Sequence, residues 1–147
     1  MPKLPKLNFP AVQLRGRRTA QGAEVWDSLR GQWVVLTPEE WVRRHLVSYL
    51  VERCGCEPQQ LVEEYPVPLN GQAQRADLVV LDRVGKPLLV AECKAAEVAI
   101  DQAVLAQAVR YNSVLGARYI LLTNGLRHYC YEATEEGYQP LQEIPAL

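Results

Sequence analysis

The sequence of 147 residues has no apolar run that approaches the roughly 20 residues of a membrane-spanning helix. Its N-terminus has two early prolines and no long apolar block, which is atypical of a secretory signal. It also lacks a glycine-rich phosphate loop of the GxxxxGK[ST] or GxGxxG kind, which argues against nucleotide binding. We therefore expect a cytoplasmic protein that neither crosses a membrane nor binds a nucleotide.

Cysteine and histidine are scarce, with four and two residues respectively. The spacing of Cys54, Cys56, Cys93 and Cys130 matches neither a paired CxxC zinc site nor a small secreted disulfide domain. Neither histidine has a His or Cys partner at ligand spacing. We predict reduced structural thiols, which pack as small apolar side chains, and no zinc.

Neither sign of charge dominates, because 16 basic residues face 17 acidic ones, a net charge of −1. This balance excludes a protein that coats nucleic acid by bulk charge. The distribution is uneven, since the first 18 residues contain no acid and residues 19–147 carry a net −6, from 11 basic and 17 acidic residues. The early basic residues are Lys3, Lys6, Arg15, Arg17 and Arg18. Such an arm suits phosphate binding and is also common as a solubilising tail.

Periodicity and turn signals predict an α/β fold with a mixed central sheet flanked by helices. Residues 1–23 are predicted to be an extended basic arm, and residues 24–147 a single domain whose first part, 24–36, is a β-hairpin. Thr37, Pro38 and Glu40 form a capping-box pattern at the start of the first helix. Strands are predicted over 61–67, 75–81 and 88–94, a second helix over 100–115, and two further strands over 118–123 and 127–133. Asn70-Gly71 and Asn124-Gly125 are turn signals.

Three polar residues interrupt the apolar strands in the middle of the chain. Glu92 and Lys94 are two positions apart on one strand, so both side chains lie on one face. The tight turn over 82–87 brings the preceding strand back alongside, and pairing of Leu81 with about Leu88 sets Asp77 opposite Glu92 at about 5 Å. Two carboxylates therefore converge.

Paired carboxylates repel each other, and each is driven toward its neutral form unless a cation lies between them. Asp77, Glu92, the backbone carbonyl of Cys93 and waters would supply the oxygen ligands that Mg²⁺ or Mn²⁺ prefers. Lys94 could then orient an attacking water and neutralise charge on a phosphate. The alternatives are a surface Asp with a Glu and a Lys that solvate a strand end, or an internal salt bridge of Lys94.

The pattern Asp77…Glu92-Cys93-Lys94, placed between two helices, resembles the PD-(D/E)xK nuclease superfamily. More closely, residues 75–95 and 103–129 are similar to the N-terminal nuclease domain of type I restriction enzyme R subunits, in the stand-alone bacterial form. The resemblance covers about residues 24–145. It implies a restriction-endonuclease-like fold with an N-terminal hairpin extension, and a Mg²⁺-dependent nuclease that hydrolyses DNA phosphodiester bonds. No ATP-driven motor is expected within these 147 residues.

The resemblance also implies roles for individual residues. Asp77 and Glu92 would be metal ligands, and Lys94 the catalytic lysine. Gln107 and Tyr111 match the Gln-x-x-x-Tyr feature of the second helix, where the glutamine lies near the site. Tyr111 is a candidate for nucleic-acid contact as well as for core packing. One departure is Ala76, which stands where the motif has proline.

Other residues have less specific roles. Glu40 corresponds to a first-helix acid that some members use as a further metal ligand, although a capping box also explains it. Arg75, Arg110 and the basic arm would contact backbone phosphates. Trp26, Trp33 and Trp41 could stack on bases but suit core anchors better. The alternative function is an inactive nuclease-fold module that binds nucleic acid or a partner protein, and a homodimer is possible.

Overall fold

The computed structural model describes residues 4–147, so Lys3 of the predicted arm lies outside the described part. The elements are β1 Gly16–Thr19, β2 Gly22–Asp27, β3 Gln32–Val35, α1 Pro38–Arg53, a short 3-10 turn Pro58–Gln60, β4 Leu61–Leu69, β5 Gln72–Leu81, β6 Pro87–Cys93, α2 Gln102–Leu115, β7 Tyr119–Thr123, β8 His128–Thr134 and β9 Gly137–Leu141. No helix within residues 4–147 is both long and apolar enough to cross a bilayer.

The central sheet has six strands in the order β4-β5-β6-β7-β8-β9. Only β6 and β7 are parallel, with α2 as the crossover between them, and every other neighbouring pair is antiparallel. The predicted mixed α/β sheet is confirmed, and β9 adds one strand beyond the prediction. The Asn70-Gly71 signal is confirmed as a two-residue hairpin turn in which both residues have positive φ, 51° and 74°.

The N-terminal part forms its own antiparallel sheet, in the order β1-β2-β3. The predicted hairpin corresponds to β2 and β3, and β1 is an additional strand inside residues that we expected to form the arm. Residues further toward the N-terminus also contact the domain. The side chain of Leu7 is buried in the main core, and the backbone N–H of Asn8 donates to the Gly125 carbonyl at 2.7 Å.

Helix α1 begins as the sequence predicts. The Thr37 hydroxyl accepts a hydrogen bond from the Glu40 N–H at 3.0 Å, and Pro38 occupies the first turn, where its missing N–H costs nothing. The apolar residues Val42, Leu46 and Leu50 of this helix are fully buried against one face of the sheet. Helix α2 covers the other face through Val104, Ala108 and Tyr111, among others.

Charged side chains of α1 are also buried, which the apolar periodicity did not predict. Arg44 pairs with Asp27 of β2 at 2.8 Å and with Glu63 of β4, so the network joins the two sheets through the helix. The side chains of Asp27 and Glu63 have no exposed surface. Such charges are tolerated in a core only when they are paired. All four cysteines are free and buried, as expected for structural thiols.

Candidate active site

The strand register brings Asp77 and Glu92 together. Leu78 of β5 pairs with Ala91 of β6, and the same register continued by one residue sets Asp77 opposite Glu92. The expected Leu81–Leu88 pair is absent, because an irregularity after Val80 pairs Leu81 with Pro87 instead. That irregularity lies at the end of the hairpin remote from Asp77, so it leaves the arrangement of the carboxylates unchanged.

Hydrogen bonds hold the end of β6 at this point. The Cys93 N–H donates to the Oδ2 atom of Asp77 at 2.7 Å. In a regular strand pair this N–H would donate to a backbone carbonyl of the neighbouring strand, so the Asp77 side chain replaces that carbonyl. The next N–H along the chain, that of Lys94, donates to the Thr123 carbonyl of β7 at 2.9 Å. Both bonds fix the backbone that carries Glu92, Cys93 and Lys94.

Glu92 is in an unfavourable environment for a lone carboxylate. It is only 5% exposed, and its Oε1 atom has no hydrogen-bond partner among residues 4–147. Burial raises the pKa of Glu92 well above its usual range, and the charge of Asp77 raises it further, whereas Lys94 lowers it. An unpartnered buried oxygen beside a second carboxylate fits a bound cation, which would satisfy both groups.

A cation at this position would have few protein ligands among residues 4–147. No group of three or more His, Cys, Asp or Glu side chains in residues 4–147 is arranged as a metal centre. The fit therefore rests on Asp77, Glu92 and a backbone carbonyl, with water as the remaining ligands. Mg²⁺ commonly binds through one or two carboxylates and keeps several waters, so two carboxylates suit it.

Lys94 immediately follows β6 and is half-buried. The ion pairs within the described part of the chain all use arginine as the cation, so Lys94 does not belong to an internal salt bridge. Its charge nevertheless acts on the site, because it opposes the rise in the pKa values of Glu39 and Glu92. A lysine beside two carboxylates but bound to neither is available to a substrate.

Glu40 does not have either role expected for it. Its carboxylate accepts hydrogen bonds from Arg43 at 2.6 and 3.0 Å and from Arg44 at 3.0 Å. The carboxylate therefore does not make the return bond of a capping box, and arginines occupy it where a metal ligand was expected. Burial raises the pKa of Glu40, but the hydrogen bond and charge of Arg43 outweigh it and leave that pKa lowered.

Glu39, one residue earlier, is the α1 acid that faces the site. Burial raises its pKa, and the charge of Asp77 raises it further. A polar cavity of about 220 Å³ lies at this point. It is lined by Thr37, Glu39, Glu40, Arg43, Glu64, Asp77 and Cys93. The sequence did not show that Glu39, rather than Glu40, is the acid that faces the site. Consecutive helix residues point in different directions, and the sequence alone did not tell which direction leads to the site.

Gln107 and Tyr111 contact each other. The Gln107 amide donates to the Tyr111 hydroxyl at 2.7 Å, and that hydroxyl donates to Gln74 of β5 at 3.4 Å. Gln107 makes no hydrogen bond with Lys94. Tyr111 is 4% exposed and packs in the core under α2, so its side chain is not accessible for the expected contact with nucleic acid. The pair links α2 to β5 three residues before Asp77.

The candidate phosphate-binding residues are on the surface. Arg75 and Arg110 are exposed and form no ion pair with other described residues. Arg17 stacks on Trp33, with the guanidinium 4.3 Å from the ring centroid, and Trp33 packs edge-on against Trp26. Trp41 donates to the Pro5 carbonyl at 2.8 Å. Each tryptophan is therefore half-buried in intramolecular contacts.

Two solved structures are similar to this chain. A fragment described as an HsdR subunit of a type I restriction enzyme from Vibrio vulnificus YJ016 has 24% identity and a TM-score of 0.57, over 76% of this chain and 24% of that one. A protein described as a nuclease of the DUF820 group from Anabaena variabilis has 12% identity and a TM-score of 0.49, over 86% of this chain and 80% of that one. A search of curated proteins found no match.

The likeness to the Vibrio fragment shows a shared fold, and this chain spans about a quarter of that fragment's length. The family model described as the type I restriction enzyme R protein N terminus (HSDR_N) matches residues 38–145. That range begins at α1 and includes Asp77, Glu92 and Lys94, but it excludes the N-terminal sheet. The chain thus belongs to the type I restriction enzyme R protein N-terminal family and has a restriction-endonuclease-like fold.

Proposed function

We propose that this chain is a metal-dependent nuclease that hydrolyses DNA phosphodiester bonds. The observation that carries the proposal is Glu92, a buried carboxylate with an oxygen that lacks a partner within residues 4–147 and with Asp77 opposite it. A protein that needed only a stable strand at this position would gain from an apolar residue, because two buried carboxylates disfavour each other. A bound cation would offset the repulsion between the two carboxylates and so account for the pair.

Asp77, Glu92 and the Cys93 carbonyl would hold the cation, Mg²⁺ or Mn²⁺. Glu39, rather than Glu40, would be the further acid: both line the cavity with Asp77, but only the carboxylate of Glu40 is occupied by arginines. Such an ion supplies a water of lowered pKa and offsets the negative charge of a phosphate. Glu40 instead holds Arg43 and Arg44 in place.

Lys94 would be the catalytic lysine. Its ammonium group, half-buried and free of ion pairs with residues 4–147, would stabilise the additional negative charge that develops on a phosphate oxygen. Gln107 would act as a positioning residue, because its amide contacts Tyr111 and through it Gln74 on the strand of Asp77. Fixed donors are effective because they need no rearrangement as charge develops.

DNA would contact cations on the surface around this site. Arg75 and Arg110 have free guanidinium groups within the described chain, and each presents donors suited to phosphate oxygens. On the N-terminal sheet, Trp33 holds Arg17 in one orientation by stacking, which leaves the guanidinium edge available. Arg17 pairs with Glu24 at 2.8 Å, an exposed pair that a phosphate could replace. Residues 24–147 would form the single domain of this proposal, and the preceding segment contacts it, because Leu7 is buried in the main core and Gly16–Thr19 form β1.

A second candidate is a module of the same fold that binds nucleic acid or a partner protein without cleaving it. The observation that favours it is the lack of any three-residue metal-binding group in residues 4–147. The two candidates differ in metal affinity, since only the enzyme requires the carboxylate pair to bind a cation.

The first experiment is a calorimetric titration of Mn²⁺ and Mg²⁺ into the wild-type protein and Asp77→Ala. We expect saturable binding that the variant loses. Lys94→Ala should bind Mn²⁺ as the wild type does but cleave plasmid and single-stranded DNA about 10²-fold more slowly or worse. Lys86→Ala, an exposed lysine of the β5–β6 turn, is the matched control and should cleave normally.

Two results would contradict the proposal. One is the lack of metal binding in the wild type at millimolar concentration, with or without DNA, which would favour the non-enzymatic module. The other is cleavage by Lys94→Ala at the wild-type rate, which would remove the catalytic lysine from the mechanism.

A further inference from the structure

The backbone of β4 is strained at Glu64, with a φ of 53° in the middle of the strand. Left-handed backbone conformations are unfavourable for residues other than glycine and asparagine. Among residues 4–147 the other non-glycine residue with positive φ is Asn70, whose hairpin turn requires it. No turn accounts for Glu64, so the conformation is maintained by its surroundings.

The strained residue reverses the two faces of β4. Leu61 packs in the core under α1 and Glu63 pairs with Arg44 of that helix, whereas Tyr65 and Val67 pack in the cluster under α2. In a regular strand, residues two positions apart share a face. Residues 63 and 65 do not, and the reversal occurs at Glu64.

The neighbouring strand reverses at the matching position. Leu78 of β5 packs under α1, but Ala76 packs under α2. Because Glu63 pairs with Leu78 and Tyr65 with Ala76, Glu64 and Asp77 lie between the same two ladder pairs. Both strands therefore change face beside the candidate cation site.

Arg43 holds Glu64 in this place. Its Nη1 atom donates both to Oε1 of Glu64 at 2.7 Å and to the backbone carbonyl of Asp77 at 3.2 Å, and the rest of the guanidinium binds Glu40. Arg43 is buried, whereas the Glu64 side chain is 34% exposed in the cavity that Asp77 and Glu39 also line. The second carboxylate oxygen of Glu64 has no hydrogen-bond partner within the described residues and can accept hydrogen bonds from water in that cavity.

We propose that Glu64 is a positioning residue of the site, which orients the water around a cation held by Asp77 and Glu92 while Arg43 fixes its carboxylate beside Asp77. The cavity of about 220 Å³ has room for several waters. Glu92, whose Oε1 atom lacks a partner among residues 4–147, does not line this cavity, but Asp77 opposite it and Cys93 next to it do, so a cation held by the two carboxylates would lie at the edge of the cavity. This inference rests on the proposed metal-dependent function. It explains why β4 keeps a backbone conformation at Glu64 that is otherwise only destabilising.

The test compares Glu64→Gly, which accommodates the positive φ, with Glu64→Gln, which keeps the size and removes the charge. Glu136→Gln, an exposed residue of the β8–β9 turn, controls for the loss of one negative charge. We expect Glu64→Gly to melt at the wild-type temperature or above it. Both Glu64 variants should bind Mn²⁺ about tenfold more weakly by calorimetry, and the control should bind it normally.

Wild-type Mn²⁺ affinity in folded Glu64→Gln would overturn the inference and leave the proposed function intact, since the wild type would still bind and cleave. Wild-type Mn²⁺ affinity in Glu64→Gly would show that Glu64 only shapes the backbone of β4 and does not act on the cation. If Glu64→Gly fails to fold, Glu64→Gln alone decides. A wild-type protein that neither binds Mn²⁺ nor cleaves DNA would refute the proposed function, and this inference with it.

Discussion

The close approach of Asp77 and Glu92 lowers the stability of the metal-free protein. Asp77 lies in the middle of β5 and Glu92 near the end of the otherwise apolar β6, and Glu92 is buried with a raised pKa. The folded chain without a cation therefore holds a group that prefers to keep its proton. Sites of this kind commonly trade stability for function, because the arrangement that binds a ligand is unfavourable without it.

We expect Asp77→Asn to stabilise the metal-free protein at pH 7 by about 1 kcal/mol, because one cause of the raised pKa of Glu92 disappears. The asparagine carbonyl can still accept the Cys93 N–H, so the local hydrogen bond is retained. Urea unfolding in the presence of a chelator measures the stability, and Mn²⁺ calorimetry should show no binding. A less stable variant would show that the two carboxylates do not repel each other.

At the scale of elements, the segment before β1 is integrated with the domain. The Leu7 side chain lies over Gly125 in the β7–β8 connection, where an added Cβ would come within 2.7 Å of the leucine. Gly125 also has a φ of 86°, so glycine suits this position for two reasons. The segment therefore closes one end of the main core.

Leu7→Ala should lower the free energy of unfolding by about 2–4 kcal/mol, because it removes a buried side chain and leaves a cavity. Lys6→Ala, its exposed neighbour, is the control and should be within about 0.5 kcal/mol of the wild type. Chemical denaturation measures both. Equal stability of the two variants would mean that the segment does not pack on the domain in solution.

At the scale of the whole molecule, buried ion pairs connect the N-terminal sheet, α1 and the central sheet. Arg44 lies at the centre, between Asp27 and Glu63, and Arg30 pairs with the same two acids at 2.5 and 2.8 Å. Burial raises the pKa of Asp27, but the hydrogen bond from Arg30 and the charge of Arg44 outweigh it and leave the pKa lowered. The folded state therefore favours the ionised form.

Stability should fall in acid for this reason. Asp27 and Glu40 have lowered pKa values, so their contribution is complete above the unfolded values of 3.8 and 4.5 and is lost as the pH falls through the folded values. Asp27→Asn should cost about 3–5 kcal/mol at pH 7, because it leaves Arg44 partly unpaired. It should also flatten the loss of stability below about pH 3.8, the unfolded pKa value of Asp27.

Unfolding in urea at pH 7 and at about pH 3, below the unfolded pKa value of Asp27, measures both effects, with Glu136→Gln as a surface control. An Asp27→Asn variant whose stability falls as steeply in acid as that of the wild type would show that Asp27 does not contribute to acid sensitivity.

Much of the fold could be predicted from the sequence, because the signals involved are local. The Thr37-Pro38 start of α1, the Asn70-Gly71 turn and the continuous apolar runs of β5 and β6 each depend on a few consecutive residues. The short turn between β5 and β6 restricts the register to one or two possibilities. The juxtaposition of Asp77 and Glu92 followed from that restriction.

Other features were decided only by tertiary contacts. Periodicity does not distinguish Glu39 from Glu40, and the arginines that engage Glu40 make the difference. The reversal of faces at Glu64 departs from the alternation on which strand prediction depends. The sequence by itself determined both helices, seven of the nine described strands, the Asn70-Gly71 turn and the carboxylate pair. The tertiary structure decided which charges are buried and which face the cavity, because a charged side chain is stable in a core only beside partners that are distant in the sequence.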